Sequence, residues 1–170
     1  AHMKVAMLAR VMDGDRDGPV YEYFVRTANM RGDMETSMRA EVTKKASAIV
    51  EPLLKGSGRA QSFKSIGRSM NREQVLALAL NMGNADNIQR VLGGEHWTVE
   101  QIQPVLATLK SADWHAVQKI WDLFESYRPL IGAKEMRVFG KEPKWIEPQP
   151  FEAKGADGET VRMRGGYYPI

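Results

Sequence analysis

From Val20 to Leu53 apolar side chains return at near-helical intervals, at Val20, Phe24, Ala28, Met34, Met38, Val42, Ala46, Ile49 and Leu53, with charge on the other positions. That spacing predicts one amphipathic helix of up to about 35 residues. At 1.5 Å per residue it would run ~50 Å, longer than a compact domain of this size is wide. Such a helix either kinks, with Gly32 the place to bend or split, or docks on something else, which makes it a candidate partner surface. Ahead of it, the apolar stretch from Val5 to Met12 ends at Asp13-Gly14-Asp15-Arg16-Asp17-Gly18-Pro19, a run that breaks any helix.

With 170 residues and 19.1 kDa, the chain has room for one core, or for a helical body plus an appendage. Apolar residues at 43% and charged residues at 26% exclude wholesale disorder. Cysteine is absent, so there is no disulfide framework, no thiolate zinc site and no cysteine nucleophile. An intracellular or virion-borne protein fits the absence of cysteine best. The longest apolar run, Val75 to Leu80, is far short of the roughly 20 residues that cross a bilayer, so no membrane span is expected. Ala1-His2-Met3 reads as a cloning scar, and the aromatic-rich end Gly165-Gly166-Tyr167-Tyr168-Pro169-Ile170 reads as a cut inside a longer polypeptide.

The chain then divides on its punctuation. Residues 4–55 form an N-terminal segment with the long helix, 56–71 a basic Gly/Ser-rich connector, 72–140 a helical core and 141–170 an extended or hairpin tail. In the core, Arg72 to Met82 is apolar on nearly every side and should be the most buried helix. Gly83 stops it, Asn84 caps the next, and that one closes at Gly93-Gly94. Thr98-Val99-Glu100-Gln101 has the form of a capping box, with Pro104 kinking or restarting the helix behind it. Ser111 caps a helix whose Trp114, Val117, Trp121, Phe124 and Ile131 make one aromatic core face, bent at Pro129. In the tail, Phe151 to Lys154 and Thr160 to Arg164 flank Gly155-Ala156-Asp157-Gly158 as a hairpin. The expected fold class is mainly α: an irregular multi-helix bundle with one long N-terminal helix and a C-terminal extended or β-hairpin segment.

The net charge of +3 is too small to announce nucleic-acid binding, but it is unevenly spread. Between Pro52 and Arg72 stand Lys55, Arg59, Lys64, Arg68 and Arg72 with no acid. Lys64, Arg68 and Arg72 would line one helix face at four-residue spacing and hold phosphates, and Arg162 and Arg164 would extend that patch. No aromatic ladder accompanies them for base stacking, so a solvated connector is the preferred reading.

Other clusters read as architecture. Asp13, Asp15 and Asp17 with Gly18 match half a calcium loop, but the twelfth position is Phe24 where a bidentate Glu is needed and Glu22 falls two residues early. A solvated turn and no metal are expected. Asn81, Gly83, Asn84 and Asn87 are the residues that caps and turns demand. His96 and His115 have no partner at catalytic or metal spacing, and Glu73 is explained by the dipole of the helix it opens. The ten methionines fill a core or make an adaptable apolar surface. No cofactor and no enzymatic activity are indicated.

Several segments in order carry a resemblance: Arg72-Glu-Gln-Val-Leu-Ala-Leu-Ala-Leu-Asn-Met-Gly-Asn84, Asn87-Ile-Gln-Arg-Val-Leu92 and Trp97, then Asp113-Trp-His-Ala-Val-Gln-Lys-Ile-Trp-Asp122. Glu135-Met-Arg-Val-Phe-Gly140, Pro150-Phe151 and Arg164-Gly-Gly-Tyr-Tyr-Pro-Ile170 complete the set. Over residues 65 to 170 the chain resembles a helical region of the large polyvalent or internal virion-associated proteins of phages and mobile elements. The resemblance implies a non-enzymatic structural or interaction module, with enzymatic parts elsewhere in the parent protein. Its partners would be other parts of that parent or other virion proteins, with a homo-oligomer as a further option. A nucleic-acid-binding accessory module using the 55–72 segment is the alternative.

Overall fold

The Asp13 carboxylate accepts hydrogen bonds from the amides of Val20 (3.1 Å) and Tyr21 (2.7 Å), which supplies the long helix with its start. The computed structural model describes residues 5–54 and 59–169. They divide into two compact units, Ala1–Lys44 and Lys45–Ile170, with the boundary inside the long helix.

In the first unit, α1 (Val5–Met12) leads through the acidic turn into a π-helical stretch, Tyr21–Arg26, and then α2 (Thr27–Leu54). The expected long helix is present and runs unbroken through Gly32. Ion pairs at four-residue spacing, Glu22 with Arg26 and Glu35 with Arg39, both at 2.7 Å, stitch its exposed side. Along its length α2 fully buries no residue.

In the second unit, the last turns of α2 are half-buried at Ala46, Ile49, Val50, Leu53 and Leu54. The expected connector is corrected over its described part. Residues 61–63 and 68–70 form an antiparallel hairpin, β1 (Gln61–Phe63) and β2 (Arg68–Met70), pairing Gln61 with Met70 and Phe63 with Arg68. The reason is the interleaving of charge with apolar residues: Phe63, Ile66 and Met70 turn inward and join the core while Lys64 and Arg68 face out.

Asn71 then opens α3 (Arg72–Leu80) with a capping box, its side chain accepting from the Gln74 amide (2.9 Å) while Gln74 returns the bond to the Asn71 amide (2.8 Å). Val75, Leu76, Leu78 and Ala79 are buried. A short 3-10 turn, Asn81–Gly83, reaches Asn84, the cap of α4 (Ala85–Glu95). That helix passes through Gly93-Gly94, where a stop was expected, and ends at His96 in the left-handed conformation. Thr98 and Gln101 form the expected capping box of α5 (Val99–Leu106), which holds Pro104 within it.

Helix α6 (Ser111–Glu125) is the centre of the core. Its cap position is Lys110 rather than Ser111, and Pro129 starts a separate helix, α7 (Arg128–Phe139), instead of bending α6. Ile131 therefore leaves the aromatic face and stands exposed, whereas Trp114, Val117 and Trp121 are buried. After α7 the chain is extended to β3 (Phe151–Lys154), which pairs antiparallel with β4 (Thr160–Met163), Phe151 opposite Met163. Phe151 packs edge-on to both Trp114 and Trp121, at 5.7 and 6.3 Å between ring centroids, so the tail hairpin closes the aromatic seam of α6.

Candidate functional site

The basic residues do not form the face that their spacing implied, because the segment from Gln61 to Met70 is a hairpin and not a helix. Lys55 lies outside the described residues. Arg59 and Lys64 are exposed. Arg68 donates to Glu95 at 2.7 Å and lies 4.9 Å from the Trp97 ring centroid, which fastens the hairpin to the end of α4. Arg72 donates to the Leu53 carbonyl at 2.8 Å and to the buried carboxylate of Asp113. Arg162 pairs with Glu152, and Arg164 takes both oxygens of Asp122 at 2.7 Å. Four of the cations weighed for phosphate binding are thus engaged within the chain.

The acidic turn is likewise used internally. Gly18 leaves the space in which the Asp13 carboxyl group sits, since a Cβ there would fall 2.7 Å from Asp13 Cγ. Asp17 accepts from Arg10 at 2.6 Å, and that bond pushes the Arg10 guanidinium pKa further up. Asp15 adopts a left-handed φ of 58°. Among the described residues no three His, Asp or Glu side chains gather as a metal site.

The amide-rich corner is a built polar site, and its occupant is the chain's own tail. Asn84 Oδ1 caps α4 through the Asn87 amide (2.8 Å), while its Nδ2 donates to the Gly166 carbonyl (3.0 Å). Asn87 Nδ2 donates to the Tyr168 carbonyl (2.8 Å), and the Gly83 carbonyl accepts from the amides of Gln149 and Gly166, both at 2.9 Å. A side chain at Gly83 would strike the Gly166 carbonyl and the Trp121 ring. Beside this corner Tyr168 borders an apolar cleft of about 200 Å³ whose other walls are the end of α2, α3 and α6, with Glu73 as its one carboxylate. His96 and His115 are both exposed.

Exposed apolar side chains are concentrated in the first unit, although α7 of the second, which buries no residue, also exposes Leu130, Ile131, Met136, Val138 and Phe139. Among the first unit's described residues only Ala9 and Val25 are buried, while ten large apolar side chains, five of them on α1, are exposed. Met30 and Met34 are 65% and 66% exposed and share a face of α2 with Met38. Sequence reasoning located the methionines and the apolar stretch from Val5 to Met12 that forms α1 but gave that stretch no surface role, although Arg10 is its one charged residue.

Comparison with family models, with curated proteins and with solved structures found no match to this chain.

Proposed function

We propose that this chain is a non-enzymatic interaction module that contacts a protein partner through the apolar helical surface of its first unit. The observation that carries the reading is the imbalance in that unit, ten large apolar side chains exposed against Ala9 and Val25 buried. Exposed apolar side chains in such number favour an association role, because leaving them in water forgoes about 25 cal/mol for every Å² that a partner would cover. The engagement of Arg68 and Arg72 in ion pairs favours this over phosphate binding. Placement in a large virion-associated protein of a phage or mobile element rests on the sequence resemblance over residues 65 to 170.

The test is equilibrium urea unfolding of a variant carrying Met30→Lys, Met34→Lys and Met38→Lys, compared with the parent chain in dilute solution. A contact surface not used by the chain itself predicts stability unchanged to within about 0.5 kcal/mol. A loss of several kcal/mol would place the methionines in the chain's own core and end the reading.

A further inference from the structure

We infer that the Asp17-Gly18 step is a site of covalent modification, at which the chain closes a succinimide ring and reopens it as isoaspartate. The inference stands apart from the interaction reading and would survive its failure. The sequence holds three Asp-Gly steps, at 13–14, 17–18 and 157–158. All three meet the chemical requirement, because glycine has no Cβ to keep its amide nitrogen away from the aspartate side chain before it. Their geometry separates them. At the first, the Asp13 carboxylate accepts from the Val20 and Tyr21 amides, and the Gly14 amide donates to the Val11 carbonyl at 3.2 Å. At the third, the Asp157 carboxylate accepts from the Ser111 hydroxyl and amide, and the Gly158 amide donates to the Gly155 carbonyl at 2.9 Å. Nucleophile and electrophile are both committed at those two steps. At the second, the Asp17 side chain is 49% exposed and is held by the surface residue Arg10 at 2.6 Å. Gly18 lies outside any helix, and among the described residues its amide donates to no acceptor.

The reaction balances with water as its one co-reactant. The Gly18 nitrogen attacks Asp17 Cγ within the same chain, so the attack is intramolecular. A carbon–nitrogen bond forms, and one carboxylate oxygen leaves as water, taking one hydrogen from the Gly18 amide and one proton from solvent. Water then opens the ring. Addition at Cγ restores aspartate, whereas addition at the main-chain carbonyl routes the backbone through Cγ and leaves a free α-carboxylate. The second product is longer by one methylene in the main chain. That insertion falls where the backbone is tightly placed: the Gly18 carbonyl accepts from the Glu22 amide at 2.9 Å, and Gly18 lies so close to the Asp13 carboxyl group that a Cβ there would clash with it. Displacing Gly18 therefore disturbs the Asp13 carboxylate that caps the Val20 and Tyr21 amides at the start of the long helix.

Tryptic peptide mapping of the complete chain after prolonged incubation at neutral pH tests this, because the three steps fall on separate peptides, 11–16, 17–26 and 155–162. The expected result is isoaspartate in 17–26 at about ten times the yield in either other peptide, since the two tied steps must first break a hydrogen bond. In concentrated urea that preference should vanish, because unfolding releases the other two steps. Asp17→Glu should abolish the signal by demanding a larger ring, and Arg10→Gln should raise it by freeing the carboxylate. The isomerised protein, once separated, should exchange amides 20 and 21 faster than its parent. An even yield over the three peptides of the folded chain, a higher yield at Asp13 or Asp157, or no isoaspartate at any of them would overturn the inference.

Discussion

At Arg72 one guanidinium donates to the Leu53 carbonyl and to the Asp113 carboxylate, so a single side chain ties the end of α2 and the start of α3 to α6. Asp113 is 1% exposed, and removing its partner leaves a buried carboxylate uncompensated. Arg72→Ala is expected to cost about 3 kcal/mol in urea unfolding, and pairing Arg72→Met with Asp113→Leu should recover much of that loss. An unchanged midpoint for the single variant would contradict the assignment. Asp157 carries a second residue-scale effect: its carboxylate accepts from the Ser111 hydroxyl (2.7 Å) and amide (3.0 Å), and the hydroxyl bond chiefly holds its pKa below the usual carboxylate range. A carboxyl group depressed in the folded state stabilises fully above its unfolded pKa, and that contribution is lost as pH falls through the folded value. Stability should therefore decline below about pH 4, and Asp157→Asn should lower it at neutral pH while flattening that decline. Parallel pH dependences for the two proteins would refute the link.

Helix α6 shows which elements can be read from residue order alone. Its Trp121 is fully buried, donates its indole N–H to the Leu80 carbonyl at 2.9 Å and packs edge-on to Phe151. Trp121→Ala is expected to cost about 3–5 kcal/mol by loss of packing, and a melting curve unmoved by it would dislodge α6 from the centre of the core. Elements defined by local chemistry were legible: the capping box at Thr98, the buried run of α3, and the turn from Gly155 to Gly158 between β3 and β4. Elements defined by a balance of distant contacts were not. The β1–β2 hairpin has the Gly/Ser content and charge of a linker, and only the seating of Phe63, Ile66 and Met70 in the core reveals it. Pro129 is as compatible with a bend as with a first turn, and the choice falls to the core, which holds α6 and leaves α7 without a buried residue. The candidate surface was legible as a methionine-bearing helix face, but whether the chain covers such a face itself is a tertiary fact that no spacing encodes.

Across the whole chain the two units differ in how they satisfy the same physics. Residues 45–170 bury Phe63, Trp114 and Trp121 in one core and engage Arg68, Arg72, Arg162 and Arg164 in ion pairs. The first unit keeps its ion pairs short-range and leaves ten large apolar side chains exposed. Folding free energy then has to be unequal along the chain, because local stability follows the apolar surface each segment removes from solvent. Native-state hydrogen exchange of the complete chain in dilute solution measures that inequality residue by residue. Amides 27–44 should exchange through local opening with little protection, while those of α3 and α6 exchange only through global unfolding. Equal protection of the two sets, lost together in one cooperative step, would mean that the first unit needs no partner and would contradict the account at its centre.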